Sequence, residues 1–291
     1  MFDLVIAVDW SAASSPGPVK PSEQRPWIAA GSQGDRDEPS YHRTRSDALA
    51  RIIEILSDHR GTCLIGLDFA FGYPNPEIGP LLPTGRGLCS LFDARLTDQP
   101  NDHNDRFELA AELNRDISER VSGPGPFWGC PAANASEFLS TKKPETPSIP
   151  EYRMIDAHLR SRGERPQSPW KLAYAGSVGS QVFTGLKAVH QITQHPALAH
   201  RCKIWPFETG WAAAALAGRN DSIVIAEIYP TLAEHRPVDH PIKDARQVVA
   251  QRDLILDATN QAALLEPPAS LTDAERHTAQ HHEGWILGVN D

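Results

Sequence analysis

Cysteine is scarce in this sequence, and the few cysteines present are not spaced for a metal or redox site. The four cysteines are widely separated along 291 residues and include no C-x-x-C pair. A disulfide framework or a cysteine-based zinc site is therefore not indicated. Cys63 stands at the start of a predicted strand and Cys202 before an apolar run, so we expect both to be core residues in a reducing cytoplasm.

An excess of positive charge is also absent. The chain has 28 Lys and Arg against 37 Asp and Glu, which gives a net charge of −9. This argues against a sequence-independent nucleic-acid coat protein, because such a protein is basic. It does not exclude a metal-dependent nuclease, since a bound cation neutralises acidic residues locally.

The beginning of the sequence lacks the features of a targeting segment. It has no basic region and no cleavage site, and its apolar run is too short for a signal peptide or a membrane span. We therefore expect a soluble cytoplasmic protein with no membrane partner. The sequence leaves its oligomeric state open.

What the sequence does contain is enough apolar material for one large domain. Hydrophobic residues make up 40% of the chain, so a sizeable core can form. The 25 prolines cluster between residues 74 and 170, which predicts long, semi-rigid loops in that part. We interpret residues 1–291 as one domain, with a core of about 1–75 and 200–291 and an insertion of about 76–199.

Three short apolar runs end in an acidic residue. Leu4–Val8 leads into Asp9, Leu64–Leu67 into Asp68, and Ser222–Ala226 into Glu227. Such runs predict strands buried on both faces, and open α/β sheets place their ligands at the carboxyl ends of such strands. Carboxylates that meet at one edge repel one another, so a cluster of them requires a divalent cation or a shared proton.

The remaining pattern predicts a mixed sheet flanked by helices. An antiparallel meander follows the first strand, and the strand that ends at Asp68 is expected to lie parallel to it. The predicted meander strands are 26–31 and 41–45. The predicted helices are 46–56, 104–121, 152–162, 182–193, 211–216 and 242–265, and the later strands are 204–207 and 222–228.

The acidic residues are the candidates for catalysis and metal binding. Asp9 and Asp68 can bridge Mg²⁺ or Mn²⁺, although each could instead cap the loop that follows it. Glu227 is a candidate ligand or general base, unless it lies on an edge strand and faces solvent. On a helix with 100° per residue, Asp244 falls at the edge of the buried face of the final helix, whereas Asp253 and Asp257 fall on the opposite side.

Several residues are candidates for binding a phosphate. Lys243 and Arg246 flank Asp244. Residues 176–181, which include Ser177 and Ser180, precede a helix and could bind an anion, but they lack the Walker lysine and could equally form a structural turn. Two further substrate-binding candidates, eight residues apart on one predicted helix, are Arg106 and Asn114.

Five short motifs resemble a known family. VDWSA (8–12), LDFAFGYP (67–74), EIYPTL (227–232), KDARQV (243–248) and EGWILG (283–288) are similar to the DUF429-type uncharacterised bacterial proteins of the ribonuclease H-like superfamily. The resemblance implies a ribonuclease H-like mixed sheet with an insertion between the fourth and fifth core strands. It also implies that clustered acids bind two divalent metals for phosphodiester hydrolysis. By position, Asp9, Asp68 and Asp244 match the superfamily's acids, whereas Glu227 has no certain counterpart.

These observations favour a metal-dependent phosphodiester hydrolase of nuclease type. Its metal would be Mg²⁺ or Mn²⁺, and its partner a nucleic acid or a small phosphate-containing substrate. One alternative is an actin-like ATPase or kinase, in which residues 176–181 form a second phosphate loop. Another is a non-catalytic binding protein that retains the fold.

Overall fold

A six-stranded mixed sheet forms the centre of the described chain in the computed structural model, which describes residues 2–74, 78–121, 123–145, 149–211 and 221–290. The strands are β1 Leu4–Asp9, β2 Trp27–Gly31, β3 Ser40–Tyr41, β4 Cys63–Leu67, β5 Cys202–Ile204 and β6 Ile223–Glu227. Their order in the sheet is β3-β2-β1-β4-β6-β5. β2 is antiparallel to β1 and to β3, whereas β1, β4, β6 and β5 are mutually parallel.

Helices cover both faces of the sheet. The α-helices of the described chain are α1 Arg45–Asp58, α2 Arg86–Arg95, α3 Arg106–Ser118, α4 Met154–Ser161, α5 Gly179–Gln194, α6 Lys243–Leu256 and α7 Asp273–Thr278. Side chains of α1, α2, α3 and α5 share one core with Ile6 and Val8 of β1. Side chains of α4 and α6 share the other core with Val5 and Ala7. Because successive residues of a strand point to opposite faces, a continuous apolar run is what a strand between two helical layers requires.

The main architectural expectations are confirmed. The fold is mixed α/β, the meander starts at the central strand, and β4 pairs in parallel with β1. Helices α2 and α5, which lie within 76–199, pack on the sheet, since Phe92 and Phe183 lie in the same core as Ile65. The ribonuclease H-like identity and the insertion remain predictions. No helix within the described ranges is long and apolar enough to cross a membrane.

Several predicted boundaries differ from those observed. The third strand does not extend to Arg45, because the Thr44 side chain accepts a hydrogen bond from the Asp47 amide and starts α1. The last long helix ends at Leu256, and residues 261–265 form a separate 3₁₀ turn. Helix α2, which follows a loop rich in glycine and proline, is not among the predicted helices. The predicted strand 204–207 is observed at 202–204, and the predicted helix 211–216 lies outside the described residues after Trp211.

Candidate active site

Asp9 and Asp68 lie side by side where β1 and β4 end. Val8 of β1 pairs with Leu67 of β4. The residues that follow them, Asp9 and Asp68, therefore lie at the same edge of the sheet. The backbone amide of Trp10 donates a hydrogen bond to Asp68 Oδ1 at 2.7 Å, which fixes the Asp68 carboxylate beside the residue that follows Asp9. The predicted pairing of these two carboxylates is thus present in the structure.

Helix α6 brings a third carboxylate to the same place. Asp244 lies in its first turn, and Asp244 Oδ2 accepts a hydrogen bond from the Gln24 amide at 2.6 Å. This bond attaches the loop after β1 to the helix. Asp9, Asp68 and Asp244 line one cavity of about 580 Å³. As the helical periodicity predicts, Asp244 is on the buried side of α6, and it lines the cavity.

Burial raises the pKa values of all three carboxyls, and repulsion within the cluster adds to the shifts of Asp9 and Asp68. The pKa of Asp9 is raised well above 3.8, first by burial and then by Asp68 and Asp244, while Lys243 opposes the shift. Burial likewise raises the pKa of Asp68 to about 7, against hydrogen bonds that favour its charged form. The pKa of Asp244 is raised mainly by burial. Clustered carboxyls of this kind require a proton or a cation between them.

Arg106 supplies a cation to the same cavity. Its Nε donates to Ser180 Oγ at 3.0 Å, and its Nη1 donates to Ser14 Oγ and Asn104 Oδ1, both at 2.7 Å. It forms no ion pair with a carboxylate of the described chain. Burial lowers the Arg106 pKa to about 10, so the guanidinium remains charged at neutral pH. A half-buried cation whose hydrogen bonds go to neutral groups is well suited to bind an anion.

The start of α5 also faces this cavity. Ser180 Oγ donates to the Leu172 carbonyl at 2.6 Å, and Gln181 Nε2 donates to the Trp10 carbonyl at 2.6 Å. The first turn of a helix cannot satisfy its own amides, so those of Ser180 and Gln181 have no partner within α5. Ser177 lies in the cavity wall just before the helix. The turn at 176–181 and the loop after Asp9 therefore belong to one site.

Glu227 is not part of the cavity. Glu227 of β6 pairs with Leu67 of β4, and Leu67 is the residue before Asp68. The Glu227 side chain therefore points to the face of the sheet that Leu67 occupies. There its two oxygens accept hydrogen bonds from Arg153 Nη1 and Nη2, each at 2.7 Å. Arg153 also pairs with Asp156. The structure thus places Glu227 in a buried ion pair outside the cavity, although its charge contributes to the raised pKa of Asp68.

Three other predicted residues also lie elsewhere. Asn114 is buried and binds the main chain, donating to the Phe127 and Phe138 carbonyls and accepting from the Phe127 amide. Arg246 donates to the His240 carbonyl at 2.7 Å and does not line the cavity. Lys243 is largely exposed and approaches a glutamate, although its charge lowers the pKa of Asp9. Arg106 and Asn114 were expected on one face of a helix, but only Arg106 lines the cavity.

Several cavity residues carry no recognisable sequence pattern. Gln24 and Arg25 come from the polar loop after β1. Tyr174 also lines the cavity, and it has a backbone φ of 73° and a relative exposure of 58%. No periodicity marks such positions, because each depends on the path of a loop.

The donor set of the cavity suits a weakly chelated magnesium or manganese ion. No group of three His, Cys, Asp or Glu side chains in the described ranges lies close enough to hold a metal on its own. Mg²⁺, however, keeps several water ligands and is bound by one or two carboxylates together with substrate phosphates. Asp9 and Asp68 form such a carboxylate pair, and their repulsion is what a cation would relieve.

Comparisons of the chain with family models, with curated proteins and with solved structures gave no match. The resemblance to DUF429-type proteins therefore remains a prediction from five short motifs. The motifs at 8–12, 67–74 and 243–248 contribute residues to the cavity, whereas the acid of the motif at 227–232 lies outside it. Function has to be argued from the cavity itself.

Proposed function

We propose that this protein is a phosphodiester hydrolase that uses Mg²⁺ or Mn²⁺. The proposal rests on one observation: the carboxyls of Asp9, Asp68 and Asp244 line the same cavity as the positively charged Arg106. A phosphate ester bound to a divalent cation presents both a positive centre and an anionic group, and it therefore complements both parts of this wall. The volume of about 580 Å³ suits a small substrate or one end of a larger one.

The carboxylates would hold the cation. Asp9 and Asp68 would ligate it, and Asp244 would add charge from α6. The cation would lower the pKa of a bound water and neutralise charge on the phosphoryl oxygens. Because Asp9 and Asp68 must lose their protons to bind it, affinity should rise with pH through about 7, the pKa of Asp68.

The other residues would bind and orient the phosphate. The Arg106 guanidinium would contact its non-bridging oxygens, and the hydrogen bonds from Arg106 to Ser14, Asn104 and Ser180 already fix the orientation of the group. The amides of Ser180 and Gln181 would add donors at the positive end of α5. Holding the ester in one orientation removes an entropic part of the barrier to reaction.

The test is hydrolysis of bis-p-nitrophenyl phosphate with Mn²⁺, with Mg²⁺ and with EDTA. We expect metal-dependent turnover that falls by at least about 100-fold in Asp9→Asn and in Asp68→Asn, since even the outer partners of metal ligands are worth about 10- to 100-fold. Asp58→Asn, an exposed aspartate at the end of α1, is the matched control and should retain full turnover. Equal activity in all three variants, or no metal-dependent turnover in the wild type, would contradict the proposal.

A second candidate is an ATPase or kinase, which one observation favours. The loop Trp10–Ala13 and the turn at 176–181 line the same cavity, as two phosphate-binding loops of such an enzyme would. Release of orthophosphate from ATP, without hydrolysis of the diester, would select this candidate. Tight binding of phosphate compounds without turnover of either substrate would select a non-catalytic binding protein.

A further inference from the structure

Tyr174 is an exposed aromatic residue in the wall of the cavity that contains the three carboxyls. Val19 and Tyr174 are the large apolar side chains that are exposed in the described chain, and only Tyr174 lines this cavity. Its φ of 73° lies in the left-handed region, which a bulky residue rarely adopts. Strained backbone of this kind persists where surrounding contacts enforce it, and it concentrates at ligand sites.

Contacts on both sides of the strained residue hold the ring in place. Tyr174 Oη donates a hydrogen bond to the Cys130 carbonyl at 2.9 Å, and the Ser177 amide donates to the Tyr174 carbonyl at 3.0 Å. The hydroxyl is therefore satisfied by the protein, while more than half of the residue's surface stays open to solvent. A tyrosine that served the core alone would not leave this surface uncovered.

We propose that Tyr174 stacks on a nucleobase, so that the substrate of this cavity is a nucleoside phosphate. The inference rests on the proposed function, because the phosphate would occupy the site of Arg106, Ser180 and Gln181. A nucleoside phosphate combines an anionic group with a flat apolar ring, and these are the two chemistries that the lining supplies. Every base has a face that can stack on an aromatic ring, so one ring selects nucleosides without selecting a sequence.

Other phosphate esters fit the lining less well. A sugar phosphate would use Arg106 and the α5 amides but would leave the Tyr174 ring uncovered. A long nucleic acid would need a basic surface along its backbone, whereas this chain has a net charge of −9. The lining therefore favours a small phosphodiester that contains a nucleoside over a long nucleic acid.

The test is calorimetric titration of the full chain in Mg²⁺ with AMP, UMP and ribose 5-phosphate, none of which contains a phosphodiester bond. Base stacking on an aromatic side chain corresponds to about a 5- to 150-fold gain in affinity. We expect AMP and UMP to bind more tightly than ribose 5-phosphate by a factor in that range. Tyr174→Ala should abolish this preference, and Tyr174→Phe should keep it. Tyr152 lies outside the cavity, so Tyr152→Ala is the control and should behave as the wild type.

The variants separate stacking from a purely structural role. If the hydroxyl bond to Cys130 were what mattered, Tyr174→Phe would lose affinity as Tyr174→Ala does, and ribose 5-phosphate would weaken equally, which would overturn the inference. Equal affinity of the wild type for AMP and ribose 5-phosphate would overturn it too, while leaving the phosphate site intact. If neither ribose 5-phosphate nor inorganic phosphate bound, the proposed function itself would fail.

Discussion

Replacing Asp68 by asparagine should stabilise the metal-free protein, and the gain should increase with pH. Burial raises the pKa of Asp68 to about 7 from an ordinary 3.8, so the folded chain resists losing this proton. Asparagine has nearly the same shape and can still accept the 2.7 Å hydrogen bond from the Trp10 amide. The substitution therefore removes the charge that the site opposes and retains the contact that positions the side chain.

The magnitude follows from the linkage between proton binding and folding. A carboxyl whose pKa is raised by folding contributes stability below its unfolded pKa, and this contribution is lost as the pH rises through the folded pKa. Each pH unit between 3.8 and 7 costs the native state about 1.4 kcal/mol, or about 4 kcal/mol in all. Because Asp68 is only half-buried, solvent screening reduces this to about 2 kcal/mol. At pH 5 the wild type has already lost part of this stability. The difference in free energy of unfolding between Asp68→Asn and the wild type should therefore grow by about 1 kcal/mol between pH 5 and pH 8.5.

Thermal unfolding in EDTA measures this difference. The Tm advantage of Asp68→Asn over the wild type should be about 2–4 °C larger at pH 8.5 than at pH 5. Asp58→Asn, which removes an exposed charge, should show no such trend. Adding Mg²⁺ at pH 8.5 should raise the Tm of the wild type more than that of Asp68→Asn. An advantage that stayed constant with pH, or that was negative at pH 8.5, would refute the account of a strained carboxyl.

Two further substitutions test the residues that the structure places outside the cavity. Arg153→Met should reduce the free energy of unfolding by about 3–5 kcal/mol in urea denaturation, because it leaves the carboxylates of Glu227 and Asp156 buried without their cation; a loss below 1 kcal/mol would show that these groups are not ionised together. Asn114→Ala should cost about 1–3 kcal/mol, since it leaves main-chain groups of Phe127 and Phe138 without partners. The diester turnover of Asn114→Ala, measured below its unfolding temperature, should match the wild type, and a large loss would mean that Asn114 acts at the site.

The sheet and its acid pair were accessible from the sequence because they depend on local patterns. Apolar runs of four to six residues specify strands buried on both faces, and the carboxyl ends of parallel strands meet at one edge. These two rules place Asp9 beside Asp68 without further information. The 100° periodicity of a helix was equally sufficient to choose Asp244 over Asp253 and Asp257.

Residues whose position depends on register or on loop path could not be predicted in this way. Glu227 ends an apolar run as Asp68 does, but it pairs with Leu67, and this shift of one residue turns it to the other face of the sheet. Its partner Arg153 is distant in sequence and no local pattern connects the two. Tyr174 and Gln24 reach the cavity through loops, where local propensity carries little information about direction.

The two edges of the sheet differ from its interior in a way that bears on aggregation. β3, at one edge, contains only Ser40 and Tyr41, and β5, at the other, spans only Cys202–Ile204. Edge strands this short offer another chain few open main-chain groups to pair with, which is one of the ways in which proteins avoid fibril-like growth. The longer apolar strands β1, β4 and β6 each have neighbours on both sides. The sequences most capable of forming amyloid are therefore protected for as long as the central sheet stays folded.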